Sequence, residues 1–552
     1  MAAHDGIATL ARACAAMLVL CCSTSAAAQV QPGALKDHQE LDATLQAPFH
    51  AAADARRTQA RTFHVQLAYP DGAKAHAVDW RLTLSGPGVQ GPPIRSWQGQ
   101  ERVSGDGATV SLPWDGRLEG GGPAPAGLYQ LLLRATADGG MEQETVEQQW
   151  QIAVERSDGG MAARLAALPP ALPPVLEKLP YKIVLANLHS QTRHSDGGAA
   201  LSACHGAQEP QTAPFGPTDA YRYAQQHGLD VLLTSEHNHM YDGSDGTNAA
   251  AKPADARALY QTGLAEAAAY TAGNAGFLAL YGMEWGGINK GGHLNIFNSD
   301  QLLGWERNGK GELLADIETP KGDYAALYAL MREKGWLGQF NHPAYSGQFM
   351  AAGQPLGYTP DGDQAMVLCE VMNTSAFSTN EQETEPRRSN YEAACNRALA
   401  AGYHVAFSTN QDNHCANWGA AYGNRTAILI QPNAPLSRDS LFEALRARRV
   451  YATMDKHAQL IFTANGRMMG ERFDNSGPLL LRVRYSHSQG RQPASVALFQ
   501  GVPGSNGSVT PLSDQPAITI LPAPGPHFYY ARVTQDDGNL VWSAPVWVNQ
   551  AP

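Results

Sequence analysis

Five short blocks of the sequence combine histidine with aspartate or glutamate, the side chains that bind divalent transition metals. They are NLHSQTRHSDG (187–197), SEHNH (235–239), GMEWGGINKGGHLNIF (282–297), QFNHP (339–343) and NQDNH (410–414). Imidazole and carboxylate ligands suit zinc, manganese or iron. Two or more such ions in one cavity activate water and polarise the bond under attack. The blocks therefore predict a dispersed hydrolytic site that holds two or three divalent metal ions.

Each block lies at or just beyond a short apolar run such as YKIVLANL, LDVLLT, FLALY or YHVAFST. Between residues 181 and 456 these runs alternate with helical stretches such as DAYRYAQQHG and YAALYALMREKG. Alternating strands and helices indicate a parallel sheet or an α/β barrel, and the loops after barrel strands collect catalytic residues. Gly228, Gly335 and Gly402 are predicted to end three of the helices.

The regions on either side of 181–456 have the pattern of all-β domains. Residues 55–157 alternate short apolar strands with glycine and proline turns, which predicts an immunoglobulin-like β-sandwich. Residues 457–552 return to this pattern and predict a second, smaller β-sandwich. The proline-rich stretch LPPALPPVLEKLP (168–180) is predicted to be an extended linker before the central domain.

The first 28 residues have the pattern of a secretory signal peptide. Arg12 precedes the apolar run 13–22, and the small residues Ala26 and Ala28 suit cleavage. An apolar run of this length is shorter than the roughly 20 residues that a transmembrane helix needs. We therefore expect a periplasmic or secreted protein with no membrane insertion after cleavage.

Four cysteines remain after removal of the signal peptide: Cys204, Cys369, Cys395 and Cys415. An even number of cysteines in an exported protein is typical of disulfide pairing. Cys204 follows the first metal-binding block and Cys415 follows His414 directly, so we predict a Cys204–Cys415 disulfide. Free, buried thiols are the alternative.

The overall charge excludes one class of partner. The formal net charge is −11 and no basic stripe appears in the sequence, so a nucleic-acid-binding role has no electrostatic support. The chain also lacks the Gly-x-Ser-x-Gly motif of serine esterases. These observations favour a small-molecule substrate and metal-dependent hydrolysis, while the oligomeric state stays open.

In combination and order, the five blocks resemble the polymerase and histidinol phosphatase (PHP) superfamily over roughly residues 180–550. The segment ALRARRVYATMDKHAQLIFTANGRMMG (444–470) is similar to the carbaryl-hydrolase-like branch of that superfamily. The resemblance implies an α/β fold: a distorted (β/α)7 barrel with metal ions at the strand C-termini. Here the barrel is expected to be flanked by N-terminal and C-terminal β-sandwich domains.

The resemblance also implies a set of metal ligands. The matching positions are His189, Asp196, His237, Glu284, His293, His342, Asp412 and His414. Glu284 is expected to bridge two ions, the first also held by His189 and Asp412, the second by His293 and His342, and the third ion by Asp196, His237 and His414.

This chain departs from the family pattern in the first two blocks. Asn187 stands where the family has Asp, Gln191 where it has a second histidine ligand, and Glu236 where it has Asp. A neutral amide is a weaker ligand than imidazole for these metals. His194 is near enough in sequence to substitute for the missing histidine, or else it is a solvated loop residue.

Candidate catalytic residues are His239, His237 and Asp412, with His239 best suited to protonate a leaving group because it lies outside the ligand motifs. Candidate contacts for an anionic substrate are Arg193, Lys290 and Arg425, although a surface charge is the more common role for each of these residues. The favoured function is hydrolysis of phosphoesters. Hydrolysis of carbamates or carboxylic esters at the same site is one alternative, and a non-catalytic binding protein on a degraded scaffold is another.

Overall fold

The computed structural model describes residues 41–68, 75–88, 91–104, 107–138, 143–155, 180–287, 291–344 and 347–552. The predicted signal peptide and nearly all of the predicted linker lie outside these ranges. Asp37–Pro552 forms one compact unit. The described helices are α1 (Pro217–Gln226), α2 (Pro253–Gly273), α3 (Tyr324–Lys334), α4 (Pro360–Ala365), α5 (Glu392–Ala401) and α6 (Arg438–Arg446). Among them, none combines the length and the apolar composition that crossing a bilayer requires.

Strands dominate the described part of the chain. The N-terminal strands are β1 (Asp42–Gln46), β2 (Arg61–Ala68), β3 (His76–Ser85), β4 (Pro93–Val103), β5 (Ala108–Trp114), β6 (Gly127–Asp138) and β7 (Gln143–Val154). The central strands are β8 (Lys182–Asn187), β9 (Val231–His237), β10 (Leu278–Gly287), β11 (Gly292–Ile296), β12 (Leu303–Gly304), β13 (Ile317–Glu318), β14 (Gly338–Phe340), β15 (Met366–Thr374), β16 (Arg388–Asn390), β17 (Ala406–Asn410), β18 (Arg425–Ile430) and β19 (Val450–Thr453). The C-terminal strands are β20 (Ala458–Ala464), β21 (Arg467–Met468), β22 (Arg472–Asn475), β23 (Leu479–His487), β24 (Pro493–Gly501), β25 (Thr510–Ser513), β26 (Ala517–Ile520), β27 (Gly525–Gln535), β28 (Leu540–Ser543) and β29 (Val546–Gln550).

The N-terminal strands form a β-sandwich. One sheet has the order β1-β2-β5 and the other β4-β3-β6-β7. Residues of β2 alternate between buried and partly exposed, as expected for a strand with one face in a core. Phe63 of the first sheet meets Trp97 of the second at 5.7 Å between ring centroids. The sandwich begins earlier than the predicted residue 55, because β1 pairs with β2.

The central sheet brings the predicted site strands side by side, in the order β17-β15-β14-β11-β10-β9-β8-β18-β19. Strands β8, β9 and β10 are parallel, as are β14, β15 and β17, whereas β11 runs antiparallel to both of its neighbours. Every residue of β9, β10 and β15 is buried, which is typical of parallel strands covered on both faces.

The predicted helices lie between these strands. Gly228, Gly335 and Gly402 directly follow the last turns of α1, α3 and α5 with φ of +78°, +69° and +119°. Glycine adopts this left-handed conformation without the steric cost that other residues bear. The three predicted helix ends are therefore confirmed.

Side-chain hydrogen bonds connect β17 to β8 and β18, although no strand ladder joins them in the sheet. The Thr426 hydroxyl donates to the Thr409 carbonyl (2.9 Å) and accepts from the Thr409 amide (3.0 Å). The Leu188 amide donates to Oδ1 of Asn410 (2.7 Å). The first and last of the predicted metal-binding blocks, at the ends of β8 and β17, are therefore adjacent in space.

The C-terminal strands differ from the predicted separate domain. Strands β20, β21, β23 and β26 form one four-stranded sheet, but β28, β27, β24, β25, β29 and β22 continue the central sheet. The junction is the antiparallel pairing of β19 with β28, in which Tyr451 lies opposite Ser543. The predicted boundary at 456/457 therefore falls within a structure that shares hydrogen bonds and a hydrophobic core across it.

Candidate metal centre

The predicted ligands lie at the carboxyl ends of parallel strands or in β11. His189 follows β8, His237 ends β9, His342 follows β14 and Asp412 follows β17. Glu284 lies in the second half of β10, where it pairs with His237 in the ladder. Because carboxyl ends of parallel strands share one edge of a sheet, residues far apart in sequence meet there.

Three groups of side chains place their ligand atoms within 4.8 Å of one another. The groups are His189, His342 and Asp412; Asp196, His237 and His414; and His237, Glu284 and His293. Together they contain all eight residues that the sequence predicts as ligands. His342 falls in the group of His189 and Asp412, and its Nε2 also lies 3.3 Å from the same Glu284 oxygen that is 3.2 Å from His293 Nδ1.

Glu284 lies at the middle of the centre and is fully buried. Its Oε2 is 3.0 Å from His189 Nε2 and 3.7 Å from His237 Nε2, while its Oε1 is 3.2 Å from His293 Nδ1 and 3.3 Å from His342 Nε2. Ligand atoms about 2.1 Å from a tetrahedral ion lie about 3.4 Å apart. The spacing around Glu284 therefore fits a carboxylate shared between two ions.

The second group lies beside Glu284 and consists of Asp196, His237 and His414. Oδ1 of Asp196 is 3.8 Å from His237 Nε2 and 3.4 Å from His414 Nε2. The backbone fixes this arrangement, because the Gly198 amide donates to the His414 carbonyl at 2.8 Å. A disulfide between Cys204 and Cys415 joins the same two loops. This is the pairing that the sequence predicts, and a second disulfide joins Cys369 to Cys395.

Two of the predicted ligands have backbone conformations that are unusual for residues other than glycine. His342 has φ of +25° and Asp412 has φ of +49°. Such conformations cost free energy and persist where the surrounding structure holds them. The Asp412 amide donates to the His189 carbonyl at 2.9 Å, and the His342 amide donates to Oε2 of Glu370 at 2.7 Å.

Gln191 does not replace the histidine ligand that it displaces. Its Nε2 donates to Oε2 of Glu284 at 2.6 Å, and its Oε1 lies 3.3 Å from the Ser195 hydroxyl oxygen. A carboxylate only accepts hydrogen bonds, so the amide must present its NH2 group to Glu284. An NH2 group has no lone pair suited to a metal ion, and Gln191 therefore acts as a donor to the shared carboxylate.

His194 also does not join the ligands. Its Nδ1 is 2.8 Å from the Tyr281 hydroxyl, and it belongs to none of the three groups found among the described residues. Burial lowers the pKa of His194 to about 4, so the ring is neutral near pH 7. The suggestion that it substitutes for the missing histidine is therefore wrong, and so is that of a solvated loop residue, because His194 is buried.

Two polar residues that the sequence did not single out contact the ligands. Glu370 is fully buried in β15, with Oε1 3.2 Å from Nδ1 of His189. Asn341 donates to Oε1 of Glu284 at 2.8 Å. A single glutamate inside the apolar run MVLCEVMNT was the signal that could have identified Glu370, because an acid is rarely buried without a partner.

Electrostatics provide a test of whether the centre suits cations. Five acids are buried together: Asp196, Glu236, Glu284, Glu370 and Asp412. Burial raises the pKa of Glu236 to about 7, although Thr192 and Ser195 donate to it. Within the described ranges, no lysine or arginine forms a salt bridge with Glu236, Glu284, Glu370 or Asp412.

The surroundings of His189 also carry an excess of negative charge. Burial alone would lower the pKa of its imidazole, but Asp412, Glu284 and Glu370 together raise it well above the ordinary value. Three carboxylates around one imidazole attract a positive charge, which a proton or a metal ion can supply. Buried charges are stable when paired or when they coordinate metals. The donor set therefore fits divalent cations.

The remaining candidates have different positions. His239 adjoins the centre, with its ring 5.8 Å from that of His237 and stacked on Trp305. Arg193 is exposed in the loop after β8, and its contact with a substrate stays a prediction. Lys290 lies outside the described residues.

The prediction that Arg425 contacts an anionic substrate is wrong. Arg425 is fully buried, and its guanidinium donates to Glu383 at 2.8 Å and to the carbonyls of Tyr422, Asn424 and Gly419. These bonds fix the chain between β17 and β18. Arg425 is therefore a structural residue.

Comparison with known proteins adds little. No family model matches the chain. It is 31% identical over 132 residues to an uncharacterized protein of Chlamydia pneumoniae, covering 20% of this chain and 21% of that protein. It is 28% identical over 130 residues to one of Chlamydia trachomatis serovar D, covering 20% and 21%. The match therefore spans about a fifth of the length of these relatives.

Among solved structures, a β-glucuronidase of Parabacteroides merdae is 8% identical, with a TM-score of 0.16 and coverage of 93% of this chain and 65% of that chain. A putative β-galactosidase from Bacteroides fragilis is 10% identical, with a TM-score of 0.16 and coverage of 93% and 73%. Likeness at these TM-scores supports no conclusion about fold or function.

Proposed function

We propose that this protein is an exported, metal-dependent hydrolase that cleaves phosphoesters with a centre of two or three divalent ions. One observation carries the proposal. Eight histidine and carboxylate residues from five separate blocks form three neighbouring groups that include the buried Glu284. Within each group the ligand atoms lie within 4.8 Å of one another. Single residues of this kind often have structural roles, but their convergence on one edge of a sheet is typical of a metallohydrolase.

The arrangement of the strands supports a barrel of the PHP type. Seven strands follow one another laterally: β17, β15, β14, β11, β10, β9 and β8. The backbone bond from Asp412 to His189 and the side-chain bond from Leu188 to Asn410 join the last strand to the first. We propose that these strands form the distorted (β/α)7 barrel that the motifs imply.

The residues present have separate tasks in this mechanism. Bound divalent cations supply an activated water and polarise the phosphoryl oxygen under attack. Glu284 and the surrounding histidines are the residues that would hold these cations. His239 adjoins the ligands without belonging to the three groups, so it is placed to donate a proton to the leaving group. Its ring is held by stacking on Trp305 and by Asp245, whose Oδ1 lies 3.4 Å from Nε2.

Localisation and substrate complete the proposal. Two disulfides support an oxidising compartment, in agreement with the signal-peptide pattern of residues 1–28. The PHP resemblance favours phosphoesters, whereas the carbaryl-hydrolase-like segment 444–470 favours an aryl carbamate or ester. The same centre can serve either reaction, because both require an activated water and a polarised oxygen.

The first experiment is elemental analysis of protein purified without a chelator. We expect two or three ions of zinc, manganese or iron per chain. The loaded protein is then assayed on p-nitrophenyl phosphate, bis-p-nitrophenyl phosphate and aryl carbamates. Turnover of phosphoesters supports the proposal. Turnover of carbamates alone would mean that carbamates, and not phosphoesters, are the substrate class. No bound ion, even after reconstitution with zinc or manganese, would favour the non-catalytic binding protein.

The His342→Ala variant tests the site itself. His342 lies near Glu284 and His189, so its loss should reduce both metal content and turnover. His404→Ala is a matched control, since His404 contacts Asp363 away from the ligand groups. Unchanged metal content and turnover in His342→Ala would refute the proposed centre.

A further inference from the structure

We propose that Glu370 is a positioning residue of the metal centre, which holds His189 and His342 in the orientation required to bind an ion. The inference rests on the proposed metal centre and adds a residue that the sequence motifs do not contain. Glu370 belongs to none of the three ligand groups found among the described residues. Its role is therefore to act through its neighbours.

The bonds of Glu370 reach two ligands at once. Oε1 lies 3.2 Å from Nδ1 of His189 and accepts from Asn410 Nδ2 at 3.0 Å. Oε2 accepts from the backbone amide of His342 at 2.7 Å. Asn410 in turn accepts from the Leu188 amide. One buried carboxylate thus connects β15 with the segments that carry both ligands.

The contact with His189 determines which of its nitrogens faces the ion. A buried carboxylate accepts hydrogen bonds, so Nδ1 of a neutral His189 must carry the proton. The lone pair is then on Nε2, which faces Glu284 and Asp412 at 3.0 Å each. A carboxylate behind a histidine ligand orients the ring and increases its basicity in many metal sites.

The contact with His342 acts on the backbone. His342 has φ of +25° and precedes Pro343, and residues other than glycine adopt positive φ only where their surroundings hold them. The bond from its amide to Glu370 provides this restraint. Two members of the group His189, His342 and Asp412 therefore depend on one side chain.

The Glu370→Gln variant separates positioning from packing. Its amide has nearly the same size, but it can donate to Nδ1 of His189 and so favours the tautomer with the proton on Nε2. We expect one ion to be bound about 10–100-fold more weakly, measured by zinc titration against a competing chelator. Glu370→Asp keeps the charge and should lie between the variant and the wild type. Asp230→Asn is the control, because Asp230 accepts from the Leu185 amide within β8 and belongs to none of the three ligand groups, so it should leave zinc affinity unchanged.

Thermal unfolding with and without zinc provides the second readout. A positioning role predicts that Glu370→Gln reduces the increase in Tm caused by zinc and leaves the Tm of the zinc-free protein nearly unchanged. An equal loss of Tm in both forms would assign Glu370 a structural role. Zinc affinity within twofold of wild type in both Glu370 variants would also refute the inference. A wild-type protein that binds no zinc would instead refute the metal centre.

Discussion

At the residue scale, Glu284 is the side chain on which the centre depends most. Its two oxygens are near four histidines, and Gln191 and Asn341 each donate to one oxygen. Two amide donors fix the plane of the carboxylate and leave both oxygens directed at the ligand groups. In the proposed centre, a carboxylate shared between two ions would couple the binding of one ion to that of the next.

Glu284→Gln should therefore remove more than one ion. We expect loss of more than one ion per chain, and a decrease in turnover greater than the about 10–100-fold typical when a residue behind a metal ligand is removed. Metal content and phosphoesterase rates measure the effect. Glu392→Gln is the matched control, because Glu392 is buried but bonds to Tyr530, Arg532 and Trp542. It should reduce stability and leave metal content unchanged; the reverse pattern would contradict our assignment.

Gln191→His tests the departure from the PHP pattern. Imidazole binds zinc and manganese better than an amide NH2 group does, and position 191 lies against Glu284 in the interior of the centre. We expect a severalfold increase in affinity for one ion, measured by competition titration. A decrease would show that the hydrogen bond to Glu284 contributes more to metal binding than an added ligand.

The convergence of the eight predicted ligand residues could be predicted because their spacing and order form recognisable motifs. The sequence did not reveal Glu370, because a single acid in an apolar run has no motif, or the role of Arg425, because a charge does not reveal its burial. The roles of His194 and Gln191 depend on the direction in which their side chains point, which the sequence does not reveal. Only the contacts with Tyr281 and Glu284 establish that direction.

At the element scale, the loops after β8 and β17 together form one part of the site. They are joined by the Cys204–Cys415 disulfide and by the bond from Gly198 to His414. Asp196 and His414 lie one in each loop, so their separation depends on this connection. The third predicted ion position is therefore the one most sensitive to the disulfide.

Replacement of both Cys204 and Cys415 by serine should destabilise the protein by about 2–4 kcal/mol and weaken the binding of one ion. Denaturant unfolding and metal content measure the two effects. Glu392→Gln is the control, because it destabilises the protein through the loss of bonds to Tyr530, Arg532 and Trp542, away from the ligand loops. Equal metal loss in the double cysteine variant and in this control would mean that the effect is general destabilisation.

At the scale of the whole molecule, the centre concentrates negative charge in the interior. Removal of the ions by a chelator leaves Asp196, Glu236, Glu284, Glu370 and Asp412 buried together. We expect the free energy of unfolding to fall by about 2.7 kcal/mol for each ion when the free metal was at 100 times its Kd. Urea unfolding before and after chelation measures the change. Equal stability in both forms would contradict a metal role for these acids.

The continuity of the central sheet leads to another prediction. A chain that ends at residue 456 would lose β28, the partner of β19, and expose an unpaired strand edge together with Tyr451 and its apolar neighbours. Exposed edges of this kind promote aggregation. We expect little soluble monomer by size-exclusion chromatography. A monomeric, metal-binding chain of this length would show that the central part folds alone.

Local signals explain why the helices and the N-terminal sandwich were predictable: period, turn residues and glycine caps lie within short segments. The pairing of β19 with β28 was not predictable from the sequence. The two strands are about 90 residues apart, and the segments on both sides of the junction have ordinary strand patterns. Non-local pairing depends on the shape of the complete core, which no short segment encodes.

The Cys204–Cys415 disulfide gives the molecule a closed covalent ring. Six of the eight predicted ligands lie inside it: His237, Glu284, His293, His342, Asp412 and His414. A protease that cuts the chain once between residues 347 and 359 separates His342 from Asp412 along the backbone but not in the molecule. Such a nicked protein migrates as one chain without reductant and as two with it. The two fragments, and the predicted ligands that they carry, stay linked through the disulfide.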